Sequence, residues 1–362
     1  MTFETSYPGI LEKLDQIDPV KYGWDRNFGH GSVTRLSPYI SRGVLSTKQV
    51  FHFLLDKKYE VGKIQKFIQE LAWRDYWQQI WVAKGDLIND DLKSTQEKVA
   101  HRQMPAALLQ ANTGISVVDQ KIREFYQTGY MHNHMRMYVA AIACNIGRSH
   151  WKAPAQWMYY HLLDADWASN ALSWQWVAGS NSHKKYIANQ ENINKYFDSD
   201  QRDTFLDVSY AQLASMSIPG ILSETIVPEL NVFLPAEREI FLDRELPTLI
   251  YNFYNLDPLW RSDMKANRIL LIEPSHFKQY PVSEQSMDFM LSLSENIRDV
   301  QVFVGEFSQL QQWPGASTFI FKEHPLSGHY QGVMDHRDWM FDVRGYFKSF
   351  FAFWKQCVKS LA

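Results

Sequence analysis

The stretch VGKIQKFIQELAWRDYWQQIWVAKG, residues 61–85, limits the possible folds more than any other part of the chain. Its apolar residues Ile64, Phe67, Ile68, Leu71, Trp73 and Tyr76 recur mostly at three- and four-residue spacing, which wraps them around a helix rather than alternating them across a strand. Gly85 supplies the stop. The same spacing persists from about residue 46 to 180. Two further helices are read over Asp119–Thr128 and Met135–Ile146, divided by TGYMHNH with its Gly129, and another starts at about Ser37. A mainly helical domain is expected for the first half of a chain of 362 residues, which is long enough for a second domain.

After Phe197 the pattern changes. Residues 198–250 scatter prolines, run acidic and lose sustained periodicity, as a connector or covering arm with short helices does. From residue 268, short runs rich in Ile, Val and Phe (RILLIEP, VQVFVG, TFIFKEHP) alternate with helical SEQSMDFMLSLSENI and with EFSQLQQW. Strand and helix alternating in this way imply a small parallel sheet. An amphipathic helix, YFKSFFAFWKQCVKSL, follows. The expected organisation is a helical domain over 1–200, a connector over 201–264, and a small α/β domain with a short parallel sheet over 265–362.

Composition excludes several classes. Cys144 and Cys357 are the only cysteines, too few for a disulfide framework or a four-cysteine metal site, and a reducing cytoplasm is the natural inference. The start lacks a basic region followed by an apolar run, so no signal peptide is expected. Nowhere do eighteen apolar residues follow one another, so nothing is expected to span a membrane. A net charge of -3 argues against a bulk polyanion binder, although residues 1–200 are mildly basic, which is compatible with a local nucleic-acid patch. Aromatic residues make up 15% of the chain, enough to serve a large core, stacking surfaces for flat ligands, or both.

Residues 164–176, DADWASNALSWQW, crowd two carboxylates, an amide and three tryptophans together. Asp164 or Asp166 could cap the helix that follows. Upstream, HNHMRMYVAAIACNI carries Asn133 and Arg136, and an arginine buried on an apolar helix face needs a carboxylate, which Asp164 would supply. The stretch NFGHGSVTRLSPYISRGVLS joins glycines, small hydroxyls and Arg35 to a helix start, a combination that suits a phosphate or pyrophosphate. His132 and His134 stand at i and i+2 with no HxxxH partner, which is poor ligand spacing. They are read as structural, and no metal site is expected.

Four segments, TRLSPYISRGVLS, ELAWRDYW, TGISVVDQKIREFYQTGYMHNHMRM and DADWASNALSWQWVAGS, in this order and at these intervals resemble the flavin-binding helical domain of the photolyase/cryptochrome family. The resemblance covers roughly residues 20–197. It implies an FAD folded in a U, with its phosphates over the Ser/Thr loop. Thr34, Arg35, Leu36 and Ser37 match the phosphate-contacting positions, and Tyr22 a tyrosine upstream of them. Glu70 and Arg74 match a flavin-pocket pair; Asn133 and Arg136 fall at pocket positions, Arg136 pairing with Asp164. Asp166 matches the acid at the polar edge of the isoalloxazine. Asn170 matches the residue beside flavin N5, where asparagine is typical of photolyases and aspartate of plant cryptochromes.

The implied reaction is light-driven electron transfer to a pyrimidine dimer. Glu70, Trp73, Asn133, Met137 and Trp176 are the types that meet the lesion in cyclobutane-dimer photolyases, with Trp73 and Trp176 placed to stack on a flipped-out dimer. Enzymes for the (6-4) lesion have histidines where Asn133 and Met137 stand. Trp174 matches the first member of an electron relay and Trp151 the second. The third should lie in QEKVA, residues 96–100, which has no tryptophan; Trp77, Trp81 or a tyrosine are the substitutes considered.

The chain also departs from the family. An antenna-binding α/β domain ordinarily comes before the flavin domain, yet about twenty residues precede the first motif here, so the usual antenna chromophore is not expected. The α/β unit that follows is either a rearranged counterpart or an unrelated addition, and its strand ends show no GxGxxG. Lys184 and Lys185 fall at the expected rim of the DNA-binding face, as phosphate contacts. Two main readings result, beside a degenerate helical protein that keeps the fold without flavin, which the retained Arg136, Asp164, Asp166 and Asn170 disfavour. One is an FAD-dependent enzyme repairing cyclobutane pyrimidine dimers in DNA, its short and weakly basic surface favouring single strands. The other is a cryptochrome-like blue-light photoreceptor acting on a protein partner through the C-terminal domain. Asn170 and the pocket residues favour the enzyme; the absent antenna domain, the missing third tryptophan and the added domain favour the sensor.

Overall fold

The computed structural model describes residues 3–361. They form two compact units. One is made of Lys21–Val33 and Lys84–Leu230; the other of the residues up to Val20, Thr34–Ala83, and the chain from Asn231 onward.

The first unit is helical. Its main helices are Ser116–Thr128, Asn133–Ala141 running on through a π turn at Ile142–Ile146, Lys152–His161 and Trp167–Ala178, with the last packed against the two before it. Local chemistry sets their limits. The Asp119 carboxylate accepts from Thr113 N and Oγ1, both at 2.7 Å, and from Gly114 N at 3.1 Å, tying the preceding loop to the first turn. Gly129 at φ +64 and Gly179 at φ +90 end two of the helices in the left-handed region that glycine enters without penalty. Val118, Ile122, Phe125, Met135, Val139, Trp157, Met158 and Leu172 fill the space between, each contributing on the order of 1.5–3 kcal/mol by leaving water. Met104–Pro105 and Thr225–Ile226 add a short antiparallel pair.

The second unit is built on five parallel strands: β1 (Thr248–Tyr251), β2 (Asn267–Ile272), β3 (Val300–Val304), β4 (Phe319–Lys322) and β5 (Val333–Asp335). Their order across the sheet is β3-β2-β1-β4-β5, with Thr248 level with Asn267 on one side and Phe319 on the other. Ile250, Ile269, Leu271, Phe303, Phe307, Phe319 and Phe321 form one core with Leu310. The three apolar runs read from the sequence are β2, β3 and β4. Two strands were not legible: β1, a four-residue run buried throughout and lying in the stretch read as connector, and β5, three half-exposed residues.

The Val61–Lys84 helix belongs almost wholly to this unit. Its buried polar residues are held by the C-terminal segment. Asp75 accepts from Thr47 Oγ1 and from Met340 N, both at 2.9 Å, while Gln79 donates to Val343 O at 3.0 Å and accepts from Gly345 N at 2.9 Å. Among the described residues no helix is long and apolar enough to cross a membrane.

Candidate functional site

In the first unit the polar groups gather at the starts of two helices. Arg136, in the first turns of Asn133–Ala141, donates from Nε to Met131 O at 2.8 Å and from Nη2 to both oxygens of Asp164, at 3.1 and 3.0 Å. The Asp164 side chain is 5% exposed and that of Arg136 19%, so the pair is largely withdrawn from water and each charge depends on the other. Asp166 is buried and caps Trp167–Ala178, accepting from Ser169 N at 3.1 Å. Both roles read from the two acids, the arginine partner and the cap, are therefore filled. Asn170, one turn on, is half-buried and donates to Ala155 O at 2.8 Å. The buried Ser169 hydroxyl has no hydrogen-bond partner among the described residues.

The other residues of this unit are placed as follows. Asn133 is exposed and Met137 half-buried, one helical turn apart on one face. Trp174 and Trp151 are buried. Trp176 is 37% exposed, its ring 6.0 Å from that of Tyr186. Tyr22 is half-buried in the short helix Pro19–Asp25. Lys184 is exposed, whereas Lys185 donates to Glu97 O at 2.7 Å and burial holds its pKa below the ordinary lysine value. His132 accepts at Nδ1 from His134 N, and burial lowers its pKa to about 4; His134 bonds Asn27 O at 2.8 Å and Tyr186 OH at 3.3 Å. Both imidazoles are built into the local structure.

The second unit carries the remainder. Thr34 Oγ1 accepts from Leu36 N at 3.3 Å, Arg35 is exposed at φ +55, and the buried Leu36 leads into Ser37, the first residue of the short helix Ser37–Ser41. Glu70, Trp73 and Arg74, at i, i+3 and i+4, share one side of the Val61–Lys84 helix. Arg74 donates to Ser41 Oγ at 2.7 Å, joining that helix to the loop region around Ser37. Trp73 meets the Phe350 ring face to face, with Tyr76 edge-on at 5.7 Å. Trp77 and Trp81 are buried among this unit's own aromatics.

Two groups went unnoticed in the sequence. The stretch at 96–100, expected to hold a third tryptophan, begins with a buried Gln96 that accepts from Trp151 N at 2.9 Å and donates to Ser149 O at 2.8 Å. The indole N–H of Trp151 donates to Asp91 at 2.9 Å. The only signal for Asp91 was an acid pair, Asp90 and Asp91, indistinguishable from a solvated surface. The second group is Phe350, one aromatic in an aromatic-rich helix.

Carboxylate, amide and guanidinium groups on adjoining helix starts, with one orphaned buried hydroxyl, are the mixed donor and acceptor set that the alternating N–H and C=O edge of a flavin requires. Residues 67–217 match the family model described as the FAD binding domain of DNA photolyase. Over these residues the chain is similar to the FAD-binding domain of the photolyase family. The deoxyribodipyrimidine photo-lyase of Agrobacterium fabrum is 32% identical over 181 residues, covering 48% of this chain and 38% of that protein. That of Halobacterium salinarum is 30% identical over 173 residues, covering 45% and 36%. The chain thus spans less than half the length of these curated relatives. Among solved structures, a Synechocystis cryptochrome aligns with a TM-score of 0.49 at 23% identity, covering 54% of this chain and 44% of its own. A class III photolyase from Agrobacterium tumefaciens aligns with a TM-score of 0.43 at 28% identity, covering 53% and 42%.

Proposed function

We propose that this chain is a light-driven enzyme that uses FAD to split cyclobutane pyrimidine dimers in DNA. The observation that carries the reading is the Arg136–Asp164 pair set beside Asp166 and Asn170 inside the matched domain. In this reading Thr34, Arg35, Leu36 and Ser37, with Tyr22, hold the phosphates. Glu70, Arg74, Asn133, Arg136, Asp164 and Asp166 hold the ring system and its polar edge. When bound, the reduced flavin supplies a photoexcited one-electron donor. Ring splitting of the dimer needs no general acid or base, so the protein contributes position, dryness and redox tuning. Asn170 suits this task because an amide has no acidic proton to give to N5. Glu70, Trp73, Asn133, Met137 and Trp176 then receive the lesion, and Lys184 and Lys185 lie at the DNA rim. A short, weakly basic surface makes single-stranded DNA the favoured partner.

The test is an absorption spectrum of the purified protein, then illumination with a single-stranded oligonucleotide bearing one thymine dimer. Restored thymines support repair. A flavin that photoreduces while the dimer stays intact overturns it. That second outcome belongs to the other reading, a blue-light photoreceptor signalling through residues 265–362, and one observation favours it: Phe350 covers a face of Trp73, the indole assigned to stacking on the dimer.

A further inference from the structure

We propose that Asp91 is the proton acceptor for an oxidised Trp151, so that the electron relay ends inside the protein as a neutral indole radical. The proposal rests on reading Trp174 and Trp151 as the relay of the flavin site. Trp151 is 0% exposed, so it cannot release a proton directly to water. Removing an electron from indole makes its N–H far more acidic, and this N–H already points at Asp91 Oδ1, 2.9 Å away.

The carboxylate is held for the task. Its Oδ2 accepts from Gln96 N at 2.8 Å, and Gln96 Oε1 accepts from Trp151 N at 2.9 Å, closing a ring of three hydrogen bonds around the indole. His150 Nε2 lies 3.6 Å from Oδ1 but is no rival acceptor. Its Nδ1 accepts from Lys152 N at 3.3 Å and burial lowers its pKa, so the neutral ring carries its proton on Nε2, which makes no hydrogen bond among the described residues and offers no lone pair to the indole proton. The same assignment argues against a metal where Asp90, Asp91 and His150 converge, since the lone pair a cation would need is occupied. Trp167, 6.5 Å from Trp151 between ring centroids, donates instead to the Asn89 amide oxygen at 2.6 Å. An amide is a far weaker base than a carboxylate, so the hole settles on Trp151.

The step balances. Trp151 gives one electron to an oxidised Trp174, for which the photoexcited oxidised flavin would be the electron acceptor when bound. The Trp151 N–H bond breaks heterolytically, its electron pair stays on nitrogen, and the proton forms an O–H bond on Asp91. The products are a neutral indole radical and a neutral carboxylic acid.

Transient absorption and light-minus-dark infrared spectroscopy on the flavin-loaded full chain test this, with flavin content and melting temperature checked for each variant. In the wild type, conversion of the radical from cation to neutral form is slowed in D2O and accompanied by a new carboxylic C=O band. In Asp91→Asn, which keeps the size of the side chain, that band is absent and conversion is on the order of 100-fold slower. Asp91→Glu restores part of both. If Trp151→Phe leaves the tryptophan radical signal unchanged, the relay reading fails. If Trp151→Phe abolishes the neutral radical while Asp91→Asn keeps both band and rate, or if the wild type shows no band, the relay stands and Asp91 is not the acceptor.

Discussion

The ring of Phe350 lies parallel to that of Trp73, with 3.8 Å between centroids and 9° between planes. The helix near the chain's end thereby takes up a face of the indole that a nucleobase would use. Phe350→Leu keeps most of the apolar volume at a cost of about 1 kcal/mol and removes the stacked ring. Affinity for a dimer-bearing single strand is expected to rise about tenfold, in line with the 1–3 kcal/mol that a base gains by stacking. Fluorescence anisotropy measures it, and an unchanged affinity would place Trp73 outside the DNA site.

Arg136 and Asp164 are expected to fail together and to be rescued together in stability alone. Asp164→Ala leaves a guanidinium largely out of water and costs about 3 kcal/mol in urea denaturation, with flavin lost during purification. Combining Arg136→Met with Asp164→Leu removes both charges and recovers most of the stability while the protein stays colourless. A colourless but stable double variant separates the binding role of the pair from its structural one.

Asp75 offers a sharper comparison. It is fully buried, and burial drives its pKa up against the lowering effect of the Met340 N–H, the Arg337 guanidinium and the Thr47 hydroxyl. Asparagine keeps an acceptor for Met340 N and turns its amide toward Thr47, whose hydroxyl reverses to accept. Asp75→Asn is expected to change stability by less than about 1 kcal/mol, whereas Asp75→Ala orphans the Met340 N–H and costs about 2 kcal/mol. Faster hydrogen exchange at Met340 and Gly345 in the alanine variant alone is the accompanying signature.

Acid should weaken the fold before its carboxylates titrate. Burial lowers the pKa of His132 and of His161 from 6.5 to about 4. The unfolded chain binds these protons at higher pH than the folded one, so the contribution is complete above pH 6.5 and declines as pH falls toward 4. Urea midpoints at pH 7.5, 6 and 5 are expected to fall in order, and His161→Gln should flatten that trend. Midpoints that hold steady across the range would show that neither ring stays neutral.

The helices were legible because each repeats its apolar spacing over several turns and meets a glycine able to adopt a left-handed backbone, as at Gly129 and Gly179. The three strands of four to six apolar residues stood out against polar neighbours. Thr248–Tyr251 did not, because a short buried run looks the same in a strand and in a coil until its partners are known, and those partners lie at Asn267 and Phe319. At the site, the Arg136–Asp164 pair followed from charge balance: a cation on an apolar helix face demands an anion nearby. Asp91 and Phe350 escaped because nothing in their own neighbourhood distinguishes a surface acid from a proton acceptor, or a core phenylalanine from one that occupies a stacking face. Both meanings come from contacts with residues remote in sequence, Trp151 and Trp73.

The central position of β1 bears on how this protein is made. Each edge of that strand is completed by a segment synthesised later, and the Val61–Lys84 helix, translated early, finds the backbone partners of Asp75 and Gln79 only around residues 340–345. A nascent chain therefore carries a long aromatic helix without this part of its cover until residues 340–345 have left the ribosome. Closure is governed by distant contacts and is correspondingly slow. In the cell this unit is the part that most needs shielding from aggregation during synthesis.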